Sequence, residues 1–349
     1  MSEKESTGTT RWDTADSNNP RTPDSKIRNN ISSKGKDPEN NSAIFINNVT
    51  KVFTQWQREN AGKGIIKNLL KPEKRIITAL DDVSFKINRG EFVAYAGPNG
   101  AGKSTTMKLL SGMLQPTTGS ISVLNMSPDK DRIKIMRKLG VLFGNRTELW
   151  WDHPISQSFE WKKVVWSIPD DIYKRNYDMV IDLLDIGDLL KTFARELSLG
   201  QRMRADLALM LLHSPELILL DEPTLGLDVE AKRQMIKFLK QLNEQDGTTI
   251  VVTSHDMDDL EELARRILLI SKGKIVFDGG FAELRDELEC TKRAIVKFDD
   301  GTQQVLDYNN TNKLLGKLSK MDGIVDVVFT QTSLEEGLAN LFAKWKGQE

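Results

Sequence analysis

Eight consecutive residues carry the densest chemistry in the chain: Gly97-Pro98-Asn99-Gly100-Ala101-Gly102-Lys103-Ser104. They fit G-x-x-x-x-G-K-[ST], a pattern whose successive backbone N–H groups and helix start surround a polyphosphate. Lys103 is expected to reach the β- and γ-phosphates and the Ser104 hydroxyl to ligate Mg²⁺. The flanks agree: residues 91–96 read as a strand and residues 105–110 as the first turns of a helix. That is the context in which the pattern binds phosphate instead of forming a Gly-rich turn. A second cluster, Leu217-Ile218-Leu219-Leu220-Asp221-Glu222, is an apolar strand ending in two acids. At a strand end beside a ligand crevice, Asp221 suits a Mg²⁺ shell, and Glu222 suits orienting or deprotonating an attacking water. Without the phosphate loop, the same residues would read as a strand followed by a solvated acidic turn.

These groups need a scaffold of alternating elements. Ile44-Phe45-Ile46 opens the folded part as a strand, and Val83-Ser84-Phe85-Lys86-Ile87 alternates like a half-buried one. Strand-like runs return at Leu217–Asp221, 248–253, 266–270 and 274–277, with helical stretches at 229–242 and 257–264 between them. Residues 154–195 turn helical, most clearly at Asp170–Leu184. The alternation predicts an α/β fold with a largely parallel sheet covered by helices. Past about residue 288 a small unit follows, in the order strand, strand, helix, strand, helix, with no catalytic constellation. Residues 55–75 are basic, and Ile65, Ile66, Leu69 and Leu70 lie at helical spacing. Two readings stand for them: an amphipathic helix at an anionic membrane surface, or a loop helix packed on its own domain. Residues 1–42 hold almost no apolar side chains and are expected to form a disordered tail, either regulatory or passive.

Composition sets the outer bounds. Of 349 residues, 39% are hydrophobic and 28% charged, which suits a folded domain, and a net charge of −1 gives no general attraction to nucleic acid. The single cysteine, Cys290, cannot form an intrachain disulfide and fits a reducing compartment. No run approaches the roughly 20 apolar residues that span a bilayer, and no secretory signal is visible, so service to a membrane is expected to run through a partner.

Leu197-Ser198-Leu199-Gly200-Gln201 opens a predicted helix ahead of the paired acids. Here the chain resembles the ATP-binding cassette (ABC) family, over about residues 44–285. The resemblance implies an ABC ATPase fold, a mixed-sheet core plus a helical subdomain. Residues 43–287 would form that domain, with the helical subdomain at about 154–200, and residues 288–349 a small α+β accessory domain. It also implies that Gly97 to Ser104, with Thr105, hold ATP and Mg²⁺, and that Ser198, Gly200 and Gln201 complete the ATP site of an opposite subunit. Asp228, in Gly226-Leu227-Asp228, would sit at that dimer interface near the phosphates. His255, in Thr253-Ser254-His255-Asp256, would contact the γ-phosphate, with Glu222 as the catalytic base. Phe53 matches the aromatic that stacks on adenine, against a plain alternative of core burial. The family usually places a Gln where this chain has Asn145. That amide would meet Mg²⁺ directly, through a water, or not at all.

The runs Phe143-Gly144-Asn145-Arg146-Thr147-Glu148-Leu149-Trp150-Trp151-Asp152-His153-Pro154 and Leu197 to Arg204 are similar to those of ATPase subunits of ABC-2 type exporters, as is Ser333-Leu334-Glu335-Glu336. This implies an ATP-hydrolysing homodimer on the cytoplasmic face of the cell (inner) membrane. It would be peripheral through a membrane-embedded ABC-2 type permease and would export a drug-like molecule, glycan or lipid-linked compound. No nucleic acid partner is expected. Trp150, Trp151, Trp161 and Trp166 are candidates to line the permease-receiving groove, the alternative being the core of the helical subdomain. Rival readings are a soluble ABC ATPase on ribosomes or DNA, a nucleotide-dependent regulator, and import in place of export. The first is disfavoured by one cassette per chain and no long heptad pattern, the second by the presence of Glu222 and His255.

Overall fold

In a computed structural model the described residues are 41–57, 73–143, 146–254, 256–288, 292–308, 310–331 and 333–346. Residues 1–40 of the expected tail, most of the basic stretch (58–72), Asn145 and His255 lie outside them, while Ser42, expected at the end of the tail, is buried as the first residue of a strand. In chain order the elements are β1 (Ser42–Gln57), β2 (Glu73–Asn88), β3 (Phe92–Ala96), α1 (Lys103–Leu110), β4 (Thr118–Val123), α2 (Arg132–Met136) and β5 (Leu139–Phe143). Next come α3 (Ile155–Trp166), α4 (Asp170–Leu184), α5 (Leu199–Leu211), β6 (Leu217–Asp221), α6 (Val229–Asp246), β7 (Thr249–Thr253) and α7 (Met257–Leu263). The remainder are β8 (Arg266–Ser271), β9 (Lys274–Gly280), α8 (Phe281–Glu287), β10 (Lys292–Phe298), β11 (Gln303–Tyr308), α9 (Thr311–Leu318), β12 (Ile324–Gln331) and α10 (Leu334–Lys346).

A six-stranded sheet in the order β5-β6-β7-β3-β8-β9 forms the centre, parallel except for the antiparallel edge strand β9. Strands β3 and β6, inside the sheet, are nearly continuous apolar runs because both of its faces are covered, as parallel sheets require. Along β6, Ile218 and Leu220 face a core shared with the helices, while Leu217 and Leu219 face a second core. That second core holds Met107, Leu109 and Leu110 of α1 and an antiparallel sheet in the order β2-β1-β4. The expectation of helices over the central sheet therefore holds for one face. On the other, a second sheet sandwiches the helix that follows the phosphate loop.

β1 and β2 form an antiparallel hairpin paired out to Gln57↔Glu73. Residues 55–57 and 73–75, read as parts of an amphipathic helix, are instead the arms of this hairpin. Helical spacing of Ile65 to Leu70 carried no information about its flanks, whose backbone groups find partners across the hairpin. The C-terminal sheet has the order β11-β10-β12, and Leu334 and Leu338 of α10 pack into the helix-side core of the larger body. Among the described residues, no helix is long and apolar enough to cross a membrane.

Candidate nucleotide site

The carboxyl ends of four parallel strands converge on one edge. Register pairs Phe143 with Asp221 and Asp221 with Thr253, and β3 lies against β7. In sequence, these ends are followed by the phosphate loop after β3, Asn145 after β5, Glu222 after β6 and His255 after β7. Ligands of doubly wound sheets bind at this edge, because the loops there are free to diverge.

The phosphate loop fits its surroundings only as glycine at two points. A Cβ on Gly97 would fall 2.1 Å from the Ile270 carbonyl oxygen, and one on Gly102, at φ +119°, 2.7 Å from the Ala79 carbonyl oxygen. Asn99, Gly100 and Ser104 are exposed and Thr105 is half-buried. Ala101 is buried in the sheet-side core, and its carbonyl accepts from Gly273 N–H at 2.9 Å. Lys103 is buried and folds its ammonium over the loop, donating to the Gly97 carbonyl at 2.6 Å and the Pro98 carbonyl at 3.3 Å. Burial lowers its pKa, against the opposing pull of Glu222 and then Asp221. The loop is tied to β3 through Thr106, whose hydroxyl lies 3.0 Å from the buried Tyr95 hydroxyl and 3.1 Å from the Gly102 carbonyl.

The two acids are held by a residue that the spacing argument did not single out. Thr253 is fully buried. Its hydroxyl donates to Asp221 Oδ1 at 2.7 Å and accepts the Glu222 N–H at 3.0 Å, and that N–H also lies 3.1 Å from the Thr253 carbonyl. Glu222 sits at φ +58°, a left-handed conformation that a non-glycine residue holds only when its surroundings impose it. The sequence signalled Thr253 as the strand-ending residue of the run Thr253-Ser254-His255-Asp256, with no role of its own.

Ser198 caps α5 in a reciprocal box: its Oγ accepts the Gln201 N–H at 3.2 Å and Gln201 Oε1 accepts the Ser198 N–H at 2.9 Å. The ordinary capping role and a phosphate-facing helix start are thus compatible, since Ser198 remains exposed. Gly200 lies against Ala231 and Leu227, and Gly226, at φ +73°, leaves only 2.7 Å between its would-be Cβ and Leu199. Asp228 is exposed and caps α6 through Ala231 N–H at 2.8 Å. Phe53 is half-buried on β1 opposite Ile77, outside both cores, with the Lys51 ammonium 5.2 Å from its ring centroid. Core burial does not account for it.

The turn after β5 is anchored to α5. Asp206, mostly buried, accepts from the Thr147 hydroxyl at 2.8 Å and from Glu148 N–H at 3.1 Å. Burial pushes its carboxyl up to about 6 despite these bonds. Glu148 pairs with the buried Lys162 at 2.7 Å, and the Lys162 ammonium lies 3.8 Å from the Trp166 ring centroid. Trp166 packs on the core, while Trp150, Trp151 and Trp161 are exposed, with Trp150 and Trp161 in ring contact at 5.6 Å.

Known proteins resemble the chain in sequence and in fold. Residues 80–225 match the family described as ABC transporter. An ABC transporter ATP-binding protein of Clostridium acetobutylicum is 32% identical over 208 residues, 59% of this chain and 75% of that one. The energy-coupling factor transporter ATP-binding protein EcfA of Methanoculleus marisnigri is 28% identical over 269 residues, 77% of this chain and 94% of that one. Among solved structures, a dimeric ATP-binding cassette in a post-hydrolysis state with ADP and phosphate superposes with a TM-score of 0.57 at 26% identity, covering 68% of this chain and 98% of that one. The chain belongs to the ABC transporter family as an ATP-binding subunit. ATP hydrolysis is its activity.

Proposed function

We propose that the chain is the ATPase subunit of an ABC-2 type exporter. In this reading it works as a homodimer and drives a separate membrane permease from the cytoplasmic face of the cell membrane. The observation that carries the hydrolytic part is the joint anchoring of Asp221 and Glu222 by Thr253, at the sheet edge from which the phosphate loop also leaves. In this reading the backbone N–H groups of the Gly97 to Ser104 loop, all but Pro98, bind the triphosphate together with Thr105 and Lys103, and Phe53 stacks on adenine. Glu222 takes the proton of the attacking water while His255 contacts the γ-phosphate. Asp228, together with Ser198, Gly200 and Gln201 of a second copy, closes the site. The donor set suits Mg²⁺, which takes one or two protein oxygens plus substrate phosphates. Ser104 and Asp221 would supply them, with Asn145 as a further amide, and the ion would neutralise charge on the β- and γ-oxygens. Residues 43–287 form the ATPase domain and 288–349 an accessory domain.

Closure on ATP and reopening after hydrolysis make a ligand-biased two-state element that a permease can convert into alternating access. The exposed Trp150, Trp151 and Trp161 suit the receiving surface for the permease, since aromatics dominate interface energetics. The run from Phe143 to Pro154 supports the exporter assignment. Import is the second reading, favoured by one relative, a methionine import ATP-binding protein of Carboxydothermus hydrogenoformans, 30% identical over 221 residues, 62% of this chain and 65% of that one. Glu222→Gln is expected to keep ATP binding, lower turnover by about 10²–10⁴ and accumulate an ATP-bound dimer. Steady-state ATPase assays with size-exclusion chromatography check this, and turnover near wild type rejects the role of Glu222. Vesicles carrying the permease, assayed for the direction of ATP-dependent flux, separate export from import.

A further inference from the structure

Helix α10 belongs to the C-terminal unit in sequence but reaches the nucleotide-binding body in space. Leu334 and Leu338 are buried in the helix-side core. Next to Leu334, Glu335 extends to the start of α7, where its Oε1 accepts the Met257 N–H at 2.7 Å. A helix start leaves its first N–H groups without internal partners. Two nearby N–H groups are satisfied from within the segment: Asp256 N–H donates to Ser254 Oγ at 3.1 Å, and Asp259 N–H to Asp256 Oδ1 at 3.1 Å. Asp256 is also held by Lys232 of α6 at 2.6 Å. The Met257 N–H is the one of the three whose acceptor comes from another unit of the chain. A cavity of about 350 Å³ runs from this contact to the phosphate loop, between Gly97, Pro98 and Asn99 on one side and Ser254, Met257 and Glu335 on the other.

We propose that Glu335 is a positioning residue for ATP hydrolysis. By accepting the Met257 amide proton, it fixes the start of α7 and so the ends of the short segment Ser254–Asp256, beside the phosphate loop. Hydrolytic competence thereby depends on the C-terminal unit being docked. The proposal rests on the role assigned above to the stretch after β7.

The test uses the full-length chain, with hydrogen exchange at the Met257 amide read alongside kcat and KM for ATP. Glu335→Ala is expected to speed exchange at Met257 by about tenfold and to lower kcat by about fivefold, with KM within about twofold. Glu335→Gln keeps an acceptor oxygen and is expected to restore both. Unchanged exchange and kcat in Glu335→Ala, or equal impairment in Glu335→Gln, overturns the proposal. If Glu335→Ala does not fold, Glu335→Met fills the same volume without an acceptor and gives the same contrast with Gln. Exchange at Met257 is read without turnover. A Glu222→Gln variant that hydrolyses ATP normally would therefore reject the site assignment while leaving the Glu335 contact separately measurable.

Discussion

Thr253 has the most leverage of any single residue in the site. One hydroxyl orients Asp221 and holds the backbone of Glu222 in a left-handed conformation. Thr253→Val keeps the shape but removes both interactions, leaving the Glu222 N–H with only the Thr253 carbonyl. The expected loss is about 1–3 kcal/mol of stability, measured by urea denaturation, with a larger proportional fall in ATPase kcat because both acids lose their alignment. Thr253→Ser restores the hydroxyl and is expected to recover most of the activity. Equal activity in the Val and Ser variants would show that backbone pairing alone sets the acids.

At the scale of elements, the tie between α5 and the turn after β5 runs through Asp206. Its carboxyl is raised in the folded chain to about 6 by burial, above the ordinary value near 3.8. The folded state therefore binds the proton more tightly than the unfolded state, so stability falls as pH rises from about 4 to about 6 and stays lower above that. Asp206→Asn keeps an acceptor oxygen for Thr147 and Glu148 and removes the ionisation. Relative to wild type, the variant is expected to gain up to about 3 kcal/mol between pH 4 and pH 7. Denaturation midpoints across that range check it, and a constant difference would show that Asp206 ionises in the folded chain as it does in water. The Glu148–Lys162 pair and the Lys162–Trp166 contact extend the same tie to α3.

For the whole molecule, the exposed cap at Ser198 and the exposed Asp228 leave two helix starts, α5 and α6, facing outward from the single chain. The proposed dimer makes a strict prediction about them. Lys103→Ala and Ser198→Arg are each expected to abolish turnover alone, because every site in either homodimer is damaged. Mixed in equal amounts, half the dimers are heterodimers with one intact composite site, so activity returns to about a quarter of wild type. A site built within one chain would give no recovery, and ATPase assays on the mixture decide between them.

The sequence by itself determined the phosphate loop, the acid pair, the alternation of elements and the family, because each is local: contiguous residues whose types and spacing dictate backbone geometry. Gly97 and Gly102 could be marked from pattern alone, whereas the Ile270 and Ala79 carbonyls that forbid any side chain there came from strands far away in the chain. Helical spacing misread the arms at 55–57 and 73–75, because cross-strand hydrogen bonds outweigh apolar periodicity. Only the tertiary structure decided that Thr253 serves both acids, that Asp206 ties the turn after β5 to α5, and that Glu335 reaches Met257 across 78 positions. These are single hydrogen bonds between elements remote in sequence. Their partners are chosen by how the layers pack, which no local pattern records.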